Sequence, residues 1–538
     1  MSAQARPAAL TLAAYDELPY DCLPIPQTHP SRLATIARLF GLAPPGVDSC
    51  RVLELGCANG NNLIPMAAAL PGARFLGIDL SRRQIADGQR NIDAAGLANI
   101  ELRHADIASI GARDGQFDYI IAHGVYSWVP ADVRDKVLAI CSENLAPNGV
   151  AYVSYNTYPG WGVNGVLREM MTYHARGTSG ARTRARKGRA MLDVLGQAMP
   201  NTPYGAVVRE EIAFLNDVPD GYLSHDHLEG CNDPVYFHQF AEAAGRCKLQ
   251  YLAEAEFSTM GLGGLPPQAL AAMRSVSSDL IAFEQLTDIV RCRAHRQTLL
   301  VHQHAPIDRR LGSASIQSHS IWTQATLPPV EAAKPVTTNS AFIGPNGNAF
   351  NVGNPLTRAA LKVLIERSPE AVGFDQLHLE ASNLLRAATV AVPGLDAGRS
   401  LLAGELLQFY AAGIVQLRTW EPQVTANVSE RPLATKLARL QAGRGSEVAS
   451  QLHQSVALNP AERSLLGLLD GTRDVPALAD AMTRAGALPQ PAAGGTRGTA
   501  TVERVRAMLR QLAKLGLLAK GLVISLVPDV MDLVPFVV

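Results

Sequence analysis

Acidic and glycine residues at fixed spacing near the start of the chain could bind a cofactor that contains a nucleoside. The run Arg51–Gly60 reads RVLELGCANG, an apolar segment that ends in a turn bounded by Gly56 and Gly60. A second apolar run, Phe75–Ile78, is followed by Asp79. Bare backbone at the start of a helix lets a ligand approach closely, and an acid at the end of the next strand can accept both hydroxyls of a ribose. The spacing therefore predicts a nucleoside cofactor.

The composition of the glycine-bounded turn favours one kind of cofactor. Ala58 stands where a dinucleotide-binding turn would carry its middle glycine, so a pyrophosphate would have a poor cradle here. A methionine tail would fit better, and Glu54 would face the amino-acid end of such a ligand. We therefore predict S-adenosylmethionine. The candidate cofactor contacts are Glu54, Gly56, Cys57, Ala58, Gly60, Asp79, Leu80, Asp106, Ile107, His123 and Gly124.

The elements that must position these residues alternate between strand and helix patterns. Ser81 and Gln84 form a capping box for a helix that runs to about Ala95. In a doubly wound sheet the ligand lies at the carboxyl ends of the strands, so acids that end three strands would point into one crevice. The alternation predicts an α/β fold with a parallel, Rossmann-like sheet. The strand patterns are 51–55, 75–79, 100–105, 117–122 and 149–155, and the helix patterns are 61–70, 82–95 and 132–145.

Charge and cysteine content limit the class of partner and the compartment. Lys plus Arg and Asp plus Glu both number 48, so no overall positive field attracts nucleic acid. The seven cysteines include no CxxC pair and the N-terminus has no signal-peptide pattern, which predicts a reduced cytoplasmic compartment and no structural zinc. The apolar tail 521–538 is interrupted by Pro and Asp. It therefore predicts a packed strand and loop and no membrane span.

Changes in pattern along the chain predict five regions. Residues 1–48 are rich in Tyr, Pro and Asp and form an N-terminal arm, either over the cofactor or with a packing role only. Residues 49–305 form the core, because two strand patterns at 249–257 and 296–302 would complete its sheet. Helical insertions at about 157–235 and 258–295 would form a middle or cap domain. A Ser-, Thr-, Pro- and Ala-rich linker is predicted at 306–341, and helical, winged-helix-like domains at 342–422 and 423–538.

Two further features bear on partners. Arg and Lys accumulate between Arg176 and Arg189 without an acid, as in a solvated helix face or mobile loop, or less commonly an electrostatic contact with an acidic partner. The C-terminal helix patterns lie at 357–366, 400–412, 460–470 and 502–515. They include no dense basic helix, so these domains favour contact with protein over nucleic acid.

With these residues in place the chain resembles a known family, the bacterial class I protein-lysine methyltransferases that carry a methyltransferase regulatory domain. Its best-known members methylate lysines of a rickettsial surface protein, outer membrane protein B. The resemblance covers about the first 300 residues and is looser in the winged-helix region. It implies S-adenosylmethionine as methyl donor, an α/β core, a helical middle domain and a protein substrate, possibly an outer-membrane or surface protein. The matching runs are YDELPY, IPQTHPSRLATIARLFGL, VLELGCANGNNLIPMA, DYIIAHGVYSWVP, GVAYVSYNTYPGW, PVYFHQFAEAAG and YLAEAEF.

Aromatic residues follow the fourth and fifth strand patterns, where they would face the methyl group. Methyl transfer needs alignment and a neutral amine, and aromatic walls guide an alkyl stem, exclude water and hold a methylated ammonium. The candidates for the acceptor channel are Tyr126, Trp128, Tyr155 and Tyr158, with Asn156 accepting a hydrogen bond from the amine. His123 would contact the cofactor or relay a proton.

Three functions fit this sequence. The first is methylation of lysine side chains in a protein. The second is N- or O-methylation of a small molecule on the same core, since the fold does not set the acceptor. The third is a non-catalytic scaffold that binds the cofactor and acts through its C-terminal domains. The segment lacks the Asn/Asp-Pro-Pro-Tyr/Phe motif of enzymes that methylate bases or glutamine, which weakens a base-methylating function.

Overall fold

The computed structural model describes residues 17–18, 23–260, 265–332, 338, 340–488 and 497–520 of the 538-residue chain. The predicted strand and loop at 521–538 and most of the motif YDELPY lie outside these residues. No helix in the described ranges is both long enough and apolar enough to cross a membrane. Over the same residues, no group of three or more His, Cys, Asp or Glu side chains is placed to hold a metal ion.

A seven-stranded sheet forms the centre of the first 302 residues. Its order is β3-β2-β1-β4-β5-β7-β6, with β1 to β5 parallel and β7 antiparallel to both of its neighbours. This is the sheet of a class I methyltransferase fold. The strands are β1 Arg51–Leu55, β2 Arg74–Asp79, β3 Ile100–His104, β4 Phe117–Ala122, β5 Leu145–Asn156, β6 Leu249–Glu254 and β7 His295–His302.

The central strands are buried on both faces because helices cover the sheet on either side. Residues 149–156 of β5 are all buried, so the strand reads as a continuous apolar run without alternation. The Ser81 hydroxyl accepts the N–H of Gln84 and caps the helix after β2, which is one half of the predicted capping box. The other half is absent, because the Ser81 N–H donates to Asp79 and Oε1 of Gln84 has no partner among the described residues. The helices around the sheet are Pro30–Leu39, Leu63–Ala69, Arg82–Ala95, Ala131–Glu143 and Phe237–Arg246.

Helices fill the two segments predicted as insertions. A buried ion network ties the second segment to the sheet, because Arg296 of β7 donates to Glu254 at 2.6 Å and to Asp288 at 2.8 Å. The Arg296 guanidinium also lies 3.8 Å from the centre of the Phe237 ring. The first segment contains Trp161–His174, Ala181–Ala198, Pro203–Asp217, Asp220–Tyr222 and a π-helical turn Leu223–His227, and the second contains Pro267–Val276 and Leu280–Arg291.

The prediction of a linker at 306–341 is wrong for the described part of that segment. Ser320–Thr323 forms β8, the central strand of a three-stranded antiparallel sheet, and Ile321 is fully buried there. The short SIWT strand lies within a Ser- and Thr-rich context, which hid its apolar residues. The partner strands are β11 Val372–Gly373 and β12 Val415–Arg418, and the helices of this unit are Pro355–Arg367, Phe374–Ala387 and Leu395–Ala411. A separate hairpin pairs β9 Ala341–Ile343 with β10 Ala349–Asn351.

The last described unit is a hairpin with four helices. Strands β13 Glu447–Ala449 and β14 Ser455–Ala457 pair antiparallel. The Arg444 guanidinium donates to Asn91 on the helix after β2, so this unit rests on the methyltransferase core. The helices are Lys436–Arg444, Pro460–Leu468, Val475–Arg484 and Arg497–Lys514.

One apolar cluster runs without a break from the sheet into the first C-terminal unit. It includes Val52 of β1, Leu33 of the N-terminal helix and Leu361 and Leu402 of the helices beyond β8. All four side chains are fully buried. The C-terminal unit therefore covers a face of the core instead of lying beside it as a separate body.

Candidate functional site

The glycine-bounded turn after β1 is held in shape by the acid at the end of β2. Gly56, Ala58 and Gly60 all have positive φ angles, of 73°, 50° and 74°. A side chain on Gly56 would meet Val125 at 2.6 Å, which explains the need for glycine there. The Ala58 N–H donates to the Asp79 carboxylate at 2.9 Å. The turn and the predicted ribose acceptor thus form one unit.

Asp79 keeps acceptor capacity on the crevice side. Its carboxylate accepts the N–H groups of Ala58 and, at 2.8 Å, Ser81. Burial raises the pKa of Asp79, and these backbone hydrogen bonds act in the opposite direction. A carboxylate offers about four lone-pair positions. The half-exposed side chain can therefore also accept a ribose hydroxyl.

The ends of β2 and β3 carry the residues predicted to contact the adenosine part of the cofactor. Leu80 follows Asp79 and is 44% exposed, which is unusual for a leucine beside a sheet. Asp106 is exposed and caps a short helical turn by accepting the N–H of Ala108 at 2.8 Å. Ile107 is half-buried in that turn. The two apolar side chains thus follow neighbouring strands at the same edge.

Glu54, in β1, is a buried acid that is only partly hydrogen-bonded. The side chain is 4% exposed, and its Oε1 accepts the amide of Asn62 at 2.8 Å. Oε2 is buried and has no hydrogen-bond partner among the described residues. Burial raises the pKa of Glu54 to about 7. Buried polar atoms are rarely left unpaired, so this oxygen fits a ligand group such as the α-ammonium of S-adenosylmethionine.

Sequence reasoning missed Asn62, which connects Glu54 to residues 25–28 and to His453. Its amide donates to Glu54 and, at 3.0 Å, to the Thr28 hydroxyl. Its oxygen accepts the Ile25 N–H at 3.0 Å and lies 2.9 Å from Nε2 of His453. The position of Asn62 shortly after the glycine-bounded turn was a weak sequence signal for a role in the site. Its contacts with residues far away along the chain left no signal in the sequence.

His123 and Gly124 leave β4 in a turn fixed by β5. Nδ1 of His123 lies 2.9 Å from the Tyr152 hydroxyl, and the Gly124 N–H donates to Ser154 at 2.9 Å. Burial lowers the pKa of His123 to about 3, so the ring is neutral at physiological pH. Nδ1 of His123 also lies 3.3 Å from the Ser154 hydroxyl, so β5 fixes the ring through two side chains.

Three of the predicted acceptor residues, Trp128, Asn156 and Tyr158, lie at the ends of β4 and β5 or just after them. The Asn156 N–H donates to the Ser127 hydroxyl at 2.9 Å, which ties the two strand ends together. Tyr158 is half-exposed, and its ring lies 5.3 Å from that of Tyr236. Trp128 is also half-exposed, in the turn after β4.

Tyr155 and Tyr126, which the sequence places in the acceptor channel, are buried in an aromatic cluster with Phe240. The Tyr155 ring is fully buried and stacks on Phe240 at 4.1 Å, and its hydroxyl lies 3.0 Å from the Thr298 hydroxyl. Tyr126 is also buried, 5.2 Å from the same Phe240. Both tyrosines belong to the buried apolar cluster on one side of the sheet. Their burial favours a packing role, and their place in the acceptor channel stays a prediction.

A second residue that the sequence did not indicate is His227, in the π-helical turn Leu223–His227. Its ring is 1% exposed and stacks on Trp161 at 5.6 Å, and neither ring nitrogen has a partner among the described residues. Burial lowers its pKa to about 4. Single π-helical turns are frequent at functional sites. Trp161 follows Tyr158 by three residues, so this pair adjoins the predicted acceptor side.

Comparison with protein families supports the same division of the chain. Residues 52–149 match a methyltransferase domain, and residues 219–302 match a predicted methyltransferase regulatory domain. Residues 430–517 match the C-terminal winged helix domain of PKMT proteins.

Two relatives extend over most of the chain. The uncharacterized protein RP789 from Rickettsia prowazekii is 35% identical over 87% of this chain and 85% of its own length. The solved structure of PKMT2 from Rickettsia typhi covers 93% of this chain and 100% of its own, at 28% identity and a TM-score of 0.83. The same PKMT2 has also been solved in complex with AdoHcy.

The fold, the matched domains and the PKMT2 structures together identify the enzyme class and its methyl donor. The chain is a class I methyltransferase that uses S-adenosylmethionine. The resemblance noted in the sequence is confirmed, and the chain belongs to the family of bacterial class I protein-lysine methyltransferases that carry a methyltransferase regulatory domain.

Proposed function

We propose that this enzyme methylates lysine side chains of a protein substrate. The observation that carries the proposal is the hydrogen bond that joins the ends of β4 and β5, where Trp128 and Tyr158 are half-exposed and the neutral His123 adjoins. A cationic histidine would repel the substrate amine, whereas a neutral imidazole adds no competing positive charge. The similarity to PKMT2 and the match to the PKMT winged-helix domain support the same acceptor.

The chemistry requires a desolvated, uncharged amine. Bound S-adenosylmethionine supplies an electrophilic methyl group, which the amine nitrogen takes in an in-line displacement. A lysine has an unperturbed pKa of about 10.4, and burial shifts it toward the neutral form. In our proposal the ammonium loses its proton to solvent as the lysine enters the site. Trp128 and Tyr158 then exclude water from the lysine stem, Asn156 accepts a hydrogen bond from the amine, and His123 stays neutral beside it.

The proposed cofactor contacts follow from the same edge of the sheet. Glu54 would bind the α-ammonium through its unpaired oxygen, and Asp79 would bind the ribose. The turn 56–60 would approach the methionine tail, with Cys57 as part of its backbone. Leu80, Asp106 and Ile107 would surround the adenine, and His123 and Gly124 would complete the crevice.

An exposed apolar stripe supports a protein substrate over a small molecule. Val166, Met170 and Tyr173 recur at helical spacing on Trp161–His174 and are 37–59% exposed. This helix begins three residues after Tyr158. Exposed apolar surface of this kind commonly marks a protein contact. We infer that a protein that presents its lysine at the crevice also contacts this helix.

We place the enzyme in the bacterial cytoplasm as part of this proposal. None of the six cysteines among the described residues forms a disulfide, which suits a reducing compartment. The substrate would then be modified before export if it is an outer-membrane or surface protein.

Labelled S-adenosylmethionine provides the test. The enzyme is incubated with soluble and outer-membrane proteins of its host, and labelled sites are mapped by mass spectrometry. We expect label on lysine, absence of label with Asp79→Ala, and loss of label when the mapped lysine is changed to arginine. Label found only on a small-molecule fraction would refute protein methylation, and binding of S-adenosylmethionine without any transfer would favour a scaffold.

A further inference from the structure

The hairpin of the last unit ends in a tight turn that projects one histidine. Ser450 holds the turn, since its hydroxyl accepts the N–H groups of Leu452 and Gln454, both at 3.3 Å. His453 adopts a left-handed backbone conformation with φ of 57°. Residues other than glycine rarely adopt this conformation, so holding His453 in the turn has an energetic cost.

The tip of this hairpin is buried against the N-terminal arm and the cofactor side of the core. His453 is 4% exposed, and its ring centre lies 5.2 Å from that of His29. His29 in turn stacks on Trp420, at 5.5 Å and 28° between ring planes. The hairpin is therefore docked inside its own chain.

The hydrogen bonds of Asn62 fix the orientation of its amide and the role of His453. The backbone N–H of Ile25 can only donate, so it identifies the Asn62 oxygen. The opposite atom is the nitrogen, whose two hydrogens go to Glu54 and Thr28. The second lone pair of the oxygen then accepts from Nε2 of His453. Every donor and acceptor position of this fully buried side chain is filled.

We propose that His453 is a positioning residue of the cofactor site. It holds the Asn62 amide, and this amide holds Glu54 with one oxygen free toward the cofactor. Docking of the C-terminal hairpin and cofactor binding would then strengthen each other by the same factor, as linkage requires. This inference rests on the proposed role of Glu54.

Two substitutions at His453 separate positioning from a general structural role. His453→Ala removes the donor, and His453→Gln keeps an N–H at a similar distance from the backbone. Both retain a side chain at the same left-handed position, so backbone strain is matched. Ser455→Ala is the control, because Ser455 lies in the same hairpin but bonds only the exposed Glu447.

We expect His453→Ala to raise the Kd for AdoHcy by about 2- to 13-fold in calorimetry, the range for one neutral hydrogen bond. His453→Gln should recover at least half of that loss, and Ser455→Ala should bind like wild type. In the wild-type chain AdoHcy should slow amide hydrogen exchange at residues 450–454. That measurement needs no variant, so it decides the question even where a variant does not fold.

Two results would overturn the proposal. The first is wild-type affinity in His453→Ala together with a lowered unfolding temperature, which would make the hairpin a structural clamp only. The second is unchanged hydrogen exchange of the turn on AdoHcy binding. Glu54→Gln is measured in parallel. If its affinity is also unchanged, the proposed cofactor role of Glu54 fails; if it falls while His453→Ala binds normally, only the positioning role fails.

Discussion

The substitution Glu54→Gln should stabilise the cofactor-free enzyme while it weakens cofactor binding. Glutamine has nearly the same shape as glutamate and can still accept the Asn62 amide through its oxygen. It lacks the negative charge of the wild-type carboxylate, whose Oε2 is buried without a hydrogen-bond partner among the described residues. The two effects have opposite signs, and the structure gives a magnitude for each.

The gain in stability follows from the raised pKa. A shift of the Glu54 pKa from 4.5 in the unfolded chain to about 7 in the folded one corresponds to about 3 kcal/mol against the ionised form. The sign follows from linkage: the folded state binds the proton more tightly, so this penalty is absent below pH 4.5 and complete above about pH 7. We therefore expect Glu54→Gln to raise the unfolding temperature by several degrees at pH 8 and little at pH 5.

The loss in affinity follows from the missing charge. A hydrogen bond to a charged group contributes about 1.5–3 kcal/mol, so AdoHcy should bind about 10- to 150-fold more weakly. Wild-type Glu54 should also release about half a proton on binding at pH 7, because about half of it is protonated beforehand. Calorimetry in buffers with different ionisation enthalpies measures this proton release, and Glu54→Gln should show none.

The matched control is Glu101→Gln, the same chemical change at an exposed side chain. It should alter neither the unfolding temperature at pH 8 nor the affinity. The reasoning is refuted if Glu54→Gln is less stable than wild type at pH 8 and binds AdoHcy with wild-type affinity. Glu54 would then be a structural acid.

Four further changes test other parts of the site. Asp79→Ala should weaken AdoHcy binding by about 1.5–3 kcal/mol in calorimetry, because it removes the ribose acceptor and releases the turn at Ala58; unchanged binding would remove the basis for the ribose site. Trp128→Ala should lower kcat more than cofactor affinity, whereas Tyr155→Phe, which loses a buried hydroxyl, should lower the unfolding temperature and leave kcat within about twofold. The reverse pattern would restore Tyr155 to the acceptor channel. A chain that ends at Pro306 should aggregate or bind AdoHcy weakly, because it uncovers the shared core and lacks His453, which contacts Asn62. A soluble, monodisperse fragment with wild-type affinity would contradict the role assigned to the C-terminal units.

Local patterns were sufficient to predict the sheet and its helices. The predicted strand at 117–122 matches β4, and Ser81 caps the helix after β2 as its sequence spacing indicates. The acids at the ends of the first three strands also follow from short-range rules, since each interrupts an apolar run. The assignment of these acids to the cofactor stays a prediction.

The side-chain directions in β5 could not be predicted because the strand is buried on both faces. In a half-buried strand the alternation of apolar and polar residues shows which side chains face solvent. Eight consecutive buried residues have no such alternation. The aromatic residues after and within this strand therefore looked alike in the sequence. Only packing against Phe240 distinguishes Tyr155 from Tyr158.

Contacts between distant segments were equally invisible. Asn62 and His453 are 391 positions apart, and neither lies in a local motif that indicates the other. The strand SIWT was not predicted for a related reason, because four residues are too few to show the two-residue alternation of a strand. Its apolar side chains acquire meaning only from β11 and β12, which follow much later in the chain.

The distance between Asn62 and His453 also sets an order of events during protein synthesis. Ribosomes add about 5–20 residues per second, so roughly 20–80 s separate the emergence of the two residues. For that interval the sheet and its glycine turn can form, while the Asn62 oxygen lacks its second donor. The hydrogen-bond network around the buried acid is therefore completed only after the ribosome has produced the hairpin that carries His453.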